Sequence, residues 1–373
     1  MESKKILIVS STFYPENSPR SFRTTELVKE FCRQGHQVTL YTIKNNEQHI
    51  PIEKEFGVNI KDLGKRKLPN INVGSGSKLA VLFKRVINRT LLQLIHYPDI
   101  ELMFKVKKAL KQESGYDLMI SIAVPHANHW GVAWARTKQH PIATTWVGDC
   151  GDPFMGVTQH DSFGKMFYFK YLEKWFCKKA DFISIPILST MGTYYPEFHH
   201  KIVEIPQGFR FEDIQIEKKT PNNKVPTFAF AGIFMRTTRN PTNLVEYLIK
   251  KNIDFKFIVY TRTPELLLPY QEILKEKLEI RNYIPRLALL NELSTTDFLI
   301  NIGFDPENHV PSKLIDYHLT GRPILSFASN EIDENKLDAF LNGDYSGAFA
   351  FNNFDKYKIE NVSKSFLKLL AKN

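Results

Sequence analysis

Along the chain, short dense apolar runs alternate with longer stretches in which apolar residues recur every three or four positions. Residues 4–11, KKILIVSS, are an apolar run of strand length followed by a polar loop. SFRTTELVKEFCRQGH (21–36) then reads as a helix, with Thr24 and Thr25 near its start, Leu27, Val28 and Phe31 on one face and Gly35 at its end. HQVTLYT is the next strand, and a strand–helix–strand unit this tight opens a parallel sheet. Residues 77–114 predict two helical pieces broken at His96-Tyr97-Pro98. LMISIA (118–123) and PIATTWVG (141–148) predict strands with a helix from His126 between them. FYFKYLEKWFCKKA predicts a long amphipathic helix, and DFISIP and KIVEIP short strands each ended by Pro.

KKTPNNKVP (218–226) is polar, carries two prolines and reads as a linker. The alternation then restarts: TFAFAG strand, NPTNLVEYLIKK helix, FKFIVYT and LEIRNYI strands, RLALLNELSTT helix, DFLINIG strand, and a last helix in NVSKSFLKLLAKN. The prediction is an α/β chain of two doubly wound, Rossmann-like domains, 1–217 and 218–355, with 356–373 as a C-terminal helix packing back across them. Two such domains facing one another bring the carboxyl ends of both sheets to one cleft, where ligands bind in this class of fold.

The 373 residues fit two domains, and 43% apolar with 24% charged content suits a globular protein with sizeable cores. No apolar run reaches the roughly 18 to 20 residues that span a bilayer, and the N-terminal apolar stretch leads straight into periodic structure, so a cytoplasmic location is expected. Cys32, Cys150 and Cys177 are far apart and odd in number, which argues against a disulfide framework and fits no zinc spacing. The formal charge of +10 suggests an anionic partner: nucleic acid, a membrane surface or phosphorylated small molecules. Nucleic acid lacks a reader motif here.

One stretch carries the most chemistry: HVPSKLIDYHLTGRPILSF (309–327), which starts as a helix N-terminus and ends in a buried strand, PILSF. Pro311 suits the first helical position. The free N–H groups of Ser312, Lys313 and Leu314, with the helix dipole, make an anion site, to which Lys313 adds a point charge suited to phosphate. Asp316 lies on the face of Ser312, one turn further in, where a carboxylate can accept both hydroxyls of a ribose. A capped helix with a solvated Asp is the plainer alternative.

These residues, with TGRPIL after them, resemble the nucleotide-sugar segment of GT-B glycosyltransferases, particularly glycosyltransferase family 4 enzymes of surface-polysaccharide synthesis. SSTFYPENSPRSFRTTELVKEFCRQGHQVTLYT resembles the opening of that family, WVGDCGDPF its Asp-Pro-aromatic segment, and KKADFISIP with VEIPQGF its helix end and Ile-Pro-Asn-Gly turn, with Gln207 in place of Asn. FAFAGIFMRTTRNP, which carries Gly232, resembles the first strand and loop of its donor domain. The resemblance covers nearly the whole chain. It implies transfer with retention from a nucleoside-diphosphate sugar, with UDP as the family's usual carrier. The acceptor would be a saccharide or a polyprenyl-diphosphate-linked saccharide, and no metal or other cofactor is implied. On the donor side it implies Arg239, with Arg236 as a second cation, for the diphosphate or the leaving-group charge. Lys313 and the amides at Ser312 and Leu314 would complete that cradle, and Asp316 would take the ribose role. The acid expected eight residues before Asp316 is Asn308, with Glu307 or Asp305 as substitutes. On the acceptor side it implies Arg23, Glu16 and Asp149, a sugar contact from His126, and Asp149 or Asp152 as the base that orients the acceptor hydroxyl. The Gly-rich turn usual there is Asn17-Ser18-Pro19.

VGSGSK (73–78) lacks the third Gly and preceding strand of a dinucleotide site and the spacing of a P-loop, so it reads as a loop. His126 and His129 are three apart but bring no partner ligands for zinc, so no metal is expected. LAVLFKRVINRTLLQLI mixes Leu, Phe and Val with Lys84, Arg85 and Arg89. Such a helix suits the anionic inner leaflet of a membrane, or a core helix with a solvated back. A UDP-sugar 2-epimerase and a non-catalytic nucleotide-sugar-binding protein on the same architecture are the rival functions.

Overall fold

Strands covered on both faces need apolar side chains on both faces, and the runs found above supply them. The computed structural model describes residues 2–72, 74, 77–156, 165–217, 220–303, 312–327 and 331–372. Its contacts divide the chain into two units, Met1–Arg210 with Asp355–Asn373, and Phe211–Phe354. The division falls at 210 rather than 217, and the C-terminal helix belongs wholly to the first unit.

The first unit opens with β1 (Lys5–Val9), α1 (Pro19–Arg33) and β2 (Gln37–Thr42). Next come α2 (Asn46–Phe56) and β3 (Asn59–Asp62), then α3 (Lys78–Ile95) and α4 (Ile100–Ala109), divided where His96 takes a left-handed conformation. It continues through β4 (Tyr116–Ile122), α5 (Ala127–Ala135), β5 (Ala143–Asp149), α6 (Phe169–Lys179), β6 (Phe182–Ile185) and β7 (Ile202–Glu204). The seven strands form one parallel sheet in the order β3-β2-β1-β4-β5-β6-β7, with an apolar core on each face.

The second unit runs β8 (Thr227–Ala231), α7 (Thr242–Lys251), β9 (Lys256–Tyr260), the short α8 (Gln271–Leu274), β10 (Leu278–Arg281) and α9 (Arg286–Leu293). It ends with β11 (Phe298–Ile302), α10 (Ser312–Leu319), β12 (Ile324–Phe327) and α11 (Glu334–Leu341). Its five parallel strands are ordered β10-β9-β8-β11-β12, again between two cores. The last helix, α12 (Ile359–Leu367), returns to the first unit, where Gln34 of α1 donates to Ser363 at 2.7 Å and Phe366 lies under the Arg23 guanidinium.

In each sheet the strand order reverses beside the first strand: between β1 and β4, and between β8 and β11. Such reversals leave a crevice at the carboxyl ends, because the following loops diverge to opposite faces.

Candidate functional site

In the second unit the loop after β8 and the helix after β11 flank that crevice. β8 ends at Ala231, and Gly232 leaves it at φ 149, a conformation that favours glycine. The loop is rigidly held. Phe234 N–H donates to Thr263 Oγ1 at 2.9 Å, Phe234 stacks on Phe230 at 4.5 Å, and Met235 and Arg239 exchange both backbone hydrogen bonds at 3.1 Å. Arg239 thereby lies against Gly303 at the end of β11, where a Cβ would come within 3.2 Å of Arg239 Cγ. Arg236, two positions into the same turn, is exposed.

α10 enters from the other side. Tyr317 fixes it to the end of β8, accepting from Ala231 N–H at 2.7 Å and donating to Ala231 O at 3.3 Å. Leu314 buries its side chain in the core. Lys313 is half-buried along its stem, but its Nζ is shut from solvent and has no hydrogen-bond partner among the described residues. Nζ sits 4.5 Å from the centroid of the Phe230 ring. Burial, then the charge of Arg239, pull this ammonium down from the ordinary 10.5 to about 7. A desolvated, unpaired ammonium with a second cation as its neighbour is costly unless an anion completes it. Asp316, one turn on, is held by Arg286 from the start of α9. Ser312 begins the described part of α10, and Pro311, Asn308, Glu307 and Asp305 lie outside the described residues.

At the reversal in the first unit, Asp149 ends β5 fully buried. Arg23 of α1 grips it in fork geometry, Nη2 to Oδ1 at 2.8 Å and Nε to Oδ2 at 3.2 Å, and Ser184 donates to Oδ1 at 2.7 Å. Arg23 also donates to the carbonyls of Ile205 and Pro206. Burial acts to raise the Asp149 pKa, but Arg23 and Arg20 outweigh it and hold the carboxyl below the ordinary 3.8. Arg23 and Asp149, expected on the acceptor side, form a buried ion pair in which each of their polar atoms already has a partner. The cation on show is Arg20, which the sequence reading passed over. It reaches Asp149 Oδ2 at 3.3 Å, remains partly exposed and lies over Gly151, where any Cβ would strike its guanidinium. Its signal was present: it is three before Arg23, on the same helix face.

His126 is buried and accordingly kept neutral, its pKa pushed well below 6.5 chiefly by burial. Its Nε2 lies 3.1 Å from the backbone carbonyl of Asp152, so as the Nε2–H tautomer it donates there and ties down the loop whose exposed carboxylate is Asp152. A buried His126 thus positions this loop. Glu173 of α6, also missed, holds the same loop through the N–H groups of Phe154 and Met155, at 2.6 and 3.0 Å. Glu16 is exposed and accepts from Ser18 Oγ. His129 is buried between Ser121 and Cys150, and among the described residues no three His, Cys, Asp or Glu side chains converge on a metal position. On α3, Arg85 and Arg89 are exposed while Lys84 is partly buried toward the opposite side.

No protein-family model matches the chain, and no curated protein does. Solved structures do. A glycosyltransferase from Rickettsia africae superposes with a TM-score of 0.59 at 14% identity, covering 100% of this chain and 99% of that one. The lipopolysaccharide outer core galactosyltransferase WaaB gives 0.61 at 11% identity, covering 99% and 100%. HepE of Anabaena, in complex with UDP and glucose, gives 0.57 at 11% identity over 99% and 100%. At these identities the likeness establishes architecture: the chain has the two-unit GT-B fold of these glycosyltransferases.

Proposed function

We propose that the protein is a glycosyltransferase that moves a sugar, with retention, from a UDP-sugar held on the second unit to a saccharide acceptor on the first. The observation that carries this reading is the Lys313 ammonium, buried beside Arg239 at the β8–β11 reversal with no hydrogen-bond partner among the described residues. A diphosphate supplies the missing anion, and the α10 amides and Asp316 suit its phosphate oxygens and ribose hydroxyls. HepE in complex with UDP and glucose, and S. aureus TarM with UDP and α-GlcNAc-glycerol, supply the ligand class. In the reaction the bond from C1 of the sugar to the β-phosphate oxygen breaks, and the diphosphate leaves with its electron pair. Arg239 and protonated Lys313 neutralise the charge that develops, which substitutes for a metal. The acceptor oxygen attacks C1 on the face the diphosphate leaves, and its proton passes to a carboxylate, a role we assign to Asp152.

The acceptor side is further read as working at an anionic membrane surface with a lipid-linked saccharide. α3 buries none of its side chains, and Leu79, Leu82, Phe83 and Val86 form one exposed stripe at helical spacing, edged by Lys78, Arg85 and Arg89. The helix carries no acid, and no described helix is long and apolar enough to cross a membrane. Flotation with anionic against neutral liposomes tests this: Phe83→Ser with Arg85→Ser and Arg89→Ser should abolish flotation, and undiminished flotation refutes the assignment.

The chemistry is tested by incubating the full chain with UDP-sugars and saccharide or lipid-linked acceptors, following UDP release and product. Transfer with the donor's anomeric configuration supports the proposal. Conversion of the donor to its 2-epimer, or binding without turnover for any acceptor, replaces it with the epimerase or binding-protein reading.

A further inference from the structure

The carboxylate of Asp316 does not stand alone. Arg286, the first residue of α9, donates to it from Nε at 3.0 Å and from Nη2, and both donors go to the same oxygen, Oδ1. Oδ2 has no partner among the described residues, and the carboxylate is partly exposed, with 27% of the side chain accessible. The pairing joins two helices that lie 30 residues apart in sequence. An unpaired aspartate on a surface helix samples several rotamers, whereas a guanidinium that takes one oxygen from the side fixes the plane of the carboxylate. Tyr317, the next residue, fixes the backbone beneath it through both polar groups of Ala231. The result is a single carboxylate oxygen held in a set direction.

We propose that Arg286 is the positioning residue for ribose recognition: by occupying Oδ1 it presents Oδ2 alone to the vicinal hydroxyls of a ribonucleotide. This rests on the reading of Asp316 as the ribose residue. The carboxylate then accepts at one place instead of chelating both hydroxyls through two oxygens. Recognition therefore depends on the direction Arg286 imposes as much as on the charge of Asp316. Losing the 2′-hydroxyl removes a donor for which the site has no substitute.

The test is a binding cycle on the full chain with two probes, UDP and 2′-deoxy-UDP, measured by calorimetry. Wild type should prefer UDP. Arg286→Ala should weaken UDP roughly threefold to tenfold, the scale of a partly exposed ion pair with its orientation lost, and pull the UDP to 2′-deoxy-UDP ratio toward one. Arg286→Lys, which keeps a charge without the fork, should fall between. Asp316→Ala should abolish the ratio, and adding Arg286→Ala to it should cost nothing further. Additive losses in the double variant, or an unchanged ratio in Arg286→Ala, would overturn the positioning role while leaving Asp316 as the ribose residue. An unchanged ratio in Asp316→Ala would overturn the ribose reading and this inference with it, while leaving the diphosphate site at Lys313 standing.

Discussion

Replacing Lys313 with Met separates a binding lysine from a structural one, because the two roles predict opposite signs. The stem of Met fills the same space over Phe230. In the free protein the Lys313 ammonium is desolvated, has no hydrogen-bond partner among the described residues and lies next to Arg239, with its pKa pulled from 10.5 to about 7. Holding the charged form there costs about 5 kcal/mol against water, taking 1.36 kcal/mol per pH unit as the conversion. Relaxation of the site absorbs part of this, so Lys313→Met should raise unfolding stability by about 1 to 3 kcal/mol. The same change should weaken a UDP-sugar about tenfold to a hundredfold, since a charge-assisted contact to phosphate is lost. Calorimetric melting and isothermal titration read the two effects. Wild type adds a pH signature. A UDP-sugar has no proton to lose near neutrality, and it binds the ammonium form, so its affinity should fall roughly tenfold per pH unit above 7 until the pKa of the complex is reached. Stability has the opposite slope. Between about 7 and 10.5 the unfolded chain carries a proton that the folded chain has lost, so the folded state gains as pH rises. A Met variant that melts lower and binds the donor as tightly as wild type would refute the reasoning.

Gly303→Ala puts a Cβ 3.2 Å from Arg239 Cγ at a φ of 138. It should lower stability by about 1 kcal/mol or more and weaken UDP-sugar binding, both visible in one calorimetric titration series. Arg23→Ala strands the Asp149 carboxylate in the core and should cost about 3 to 5 kcal/mol in denaturant titration. Arg20→Ala, at the edge of the same cluster, should cost less than about 1 kcal/mol. Because the Asp149 pKa is held below 3.8, its contribution is complete above that value and is lost as pH falls below it. Acid unfolding of wild type should therefore steepen below pH 4, and that steepening should be missing from an Asp149→Asn variant.

Much of the fold was legible because buried parallel strands have no other way to be written. The apolar runs located eleven of the twelve strands, and His96-Tyr97-Pro98 marked the break between α3 and α4. α2, β3, the short α8 and α11 escaped: Pro51 lies inside α2, and β3 is a four-residue edge strand with one buried side chain. At the site, Lys313, Arg239 and Gly232 were legible because each sits next to the end of a recognisable strand or the start of a helix. What could not be read was which polar group would be consumed by another. Arg23 and Arg20 look alike in sequence, yet one is locked on Asp149 and two carbonyls while the other stays partly exposed. Arg286 finds Asp316 across 30 residues, a pairing set by how α9 packs on α10 and by nothing in local spacing.

Titration of the full chain with UDP and with uridine asks whether Lys313 and Arg239 form the diphosphate site. Wild type should bind UDP far more tightly than uridine, and Lys313→Met with Arg239→Met should remove the difference while leaving the protein folded. Equal binding of UDP and uridine by wild type, or an undiminished preference for UDP in the double variant, would contradict it.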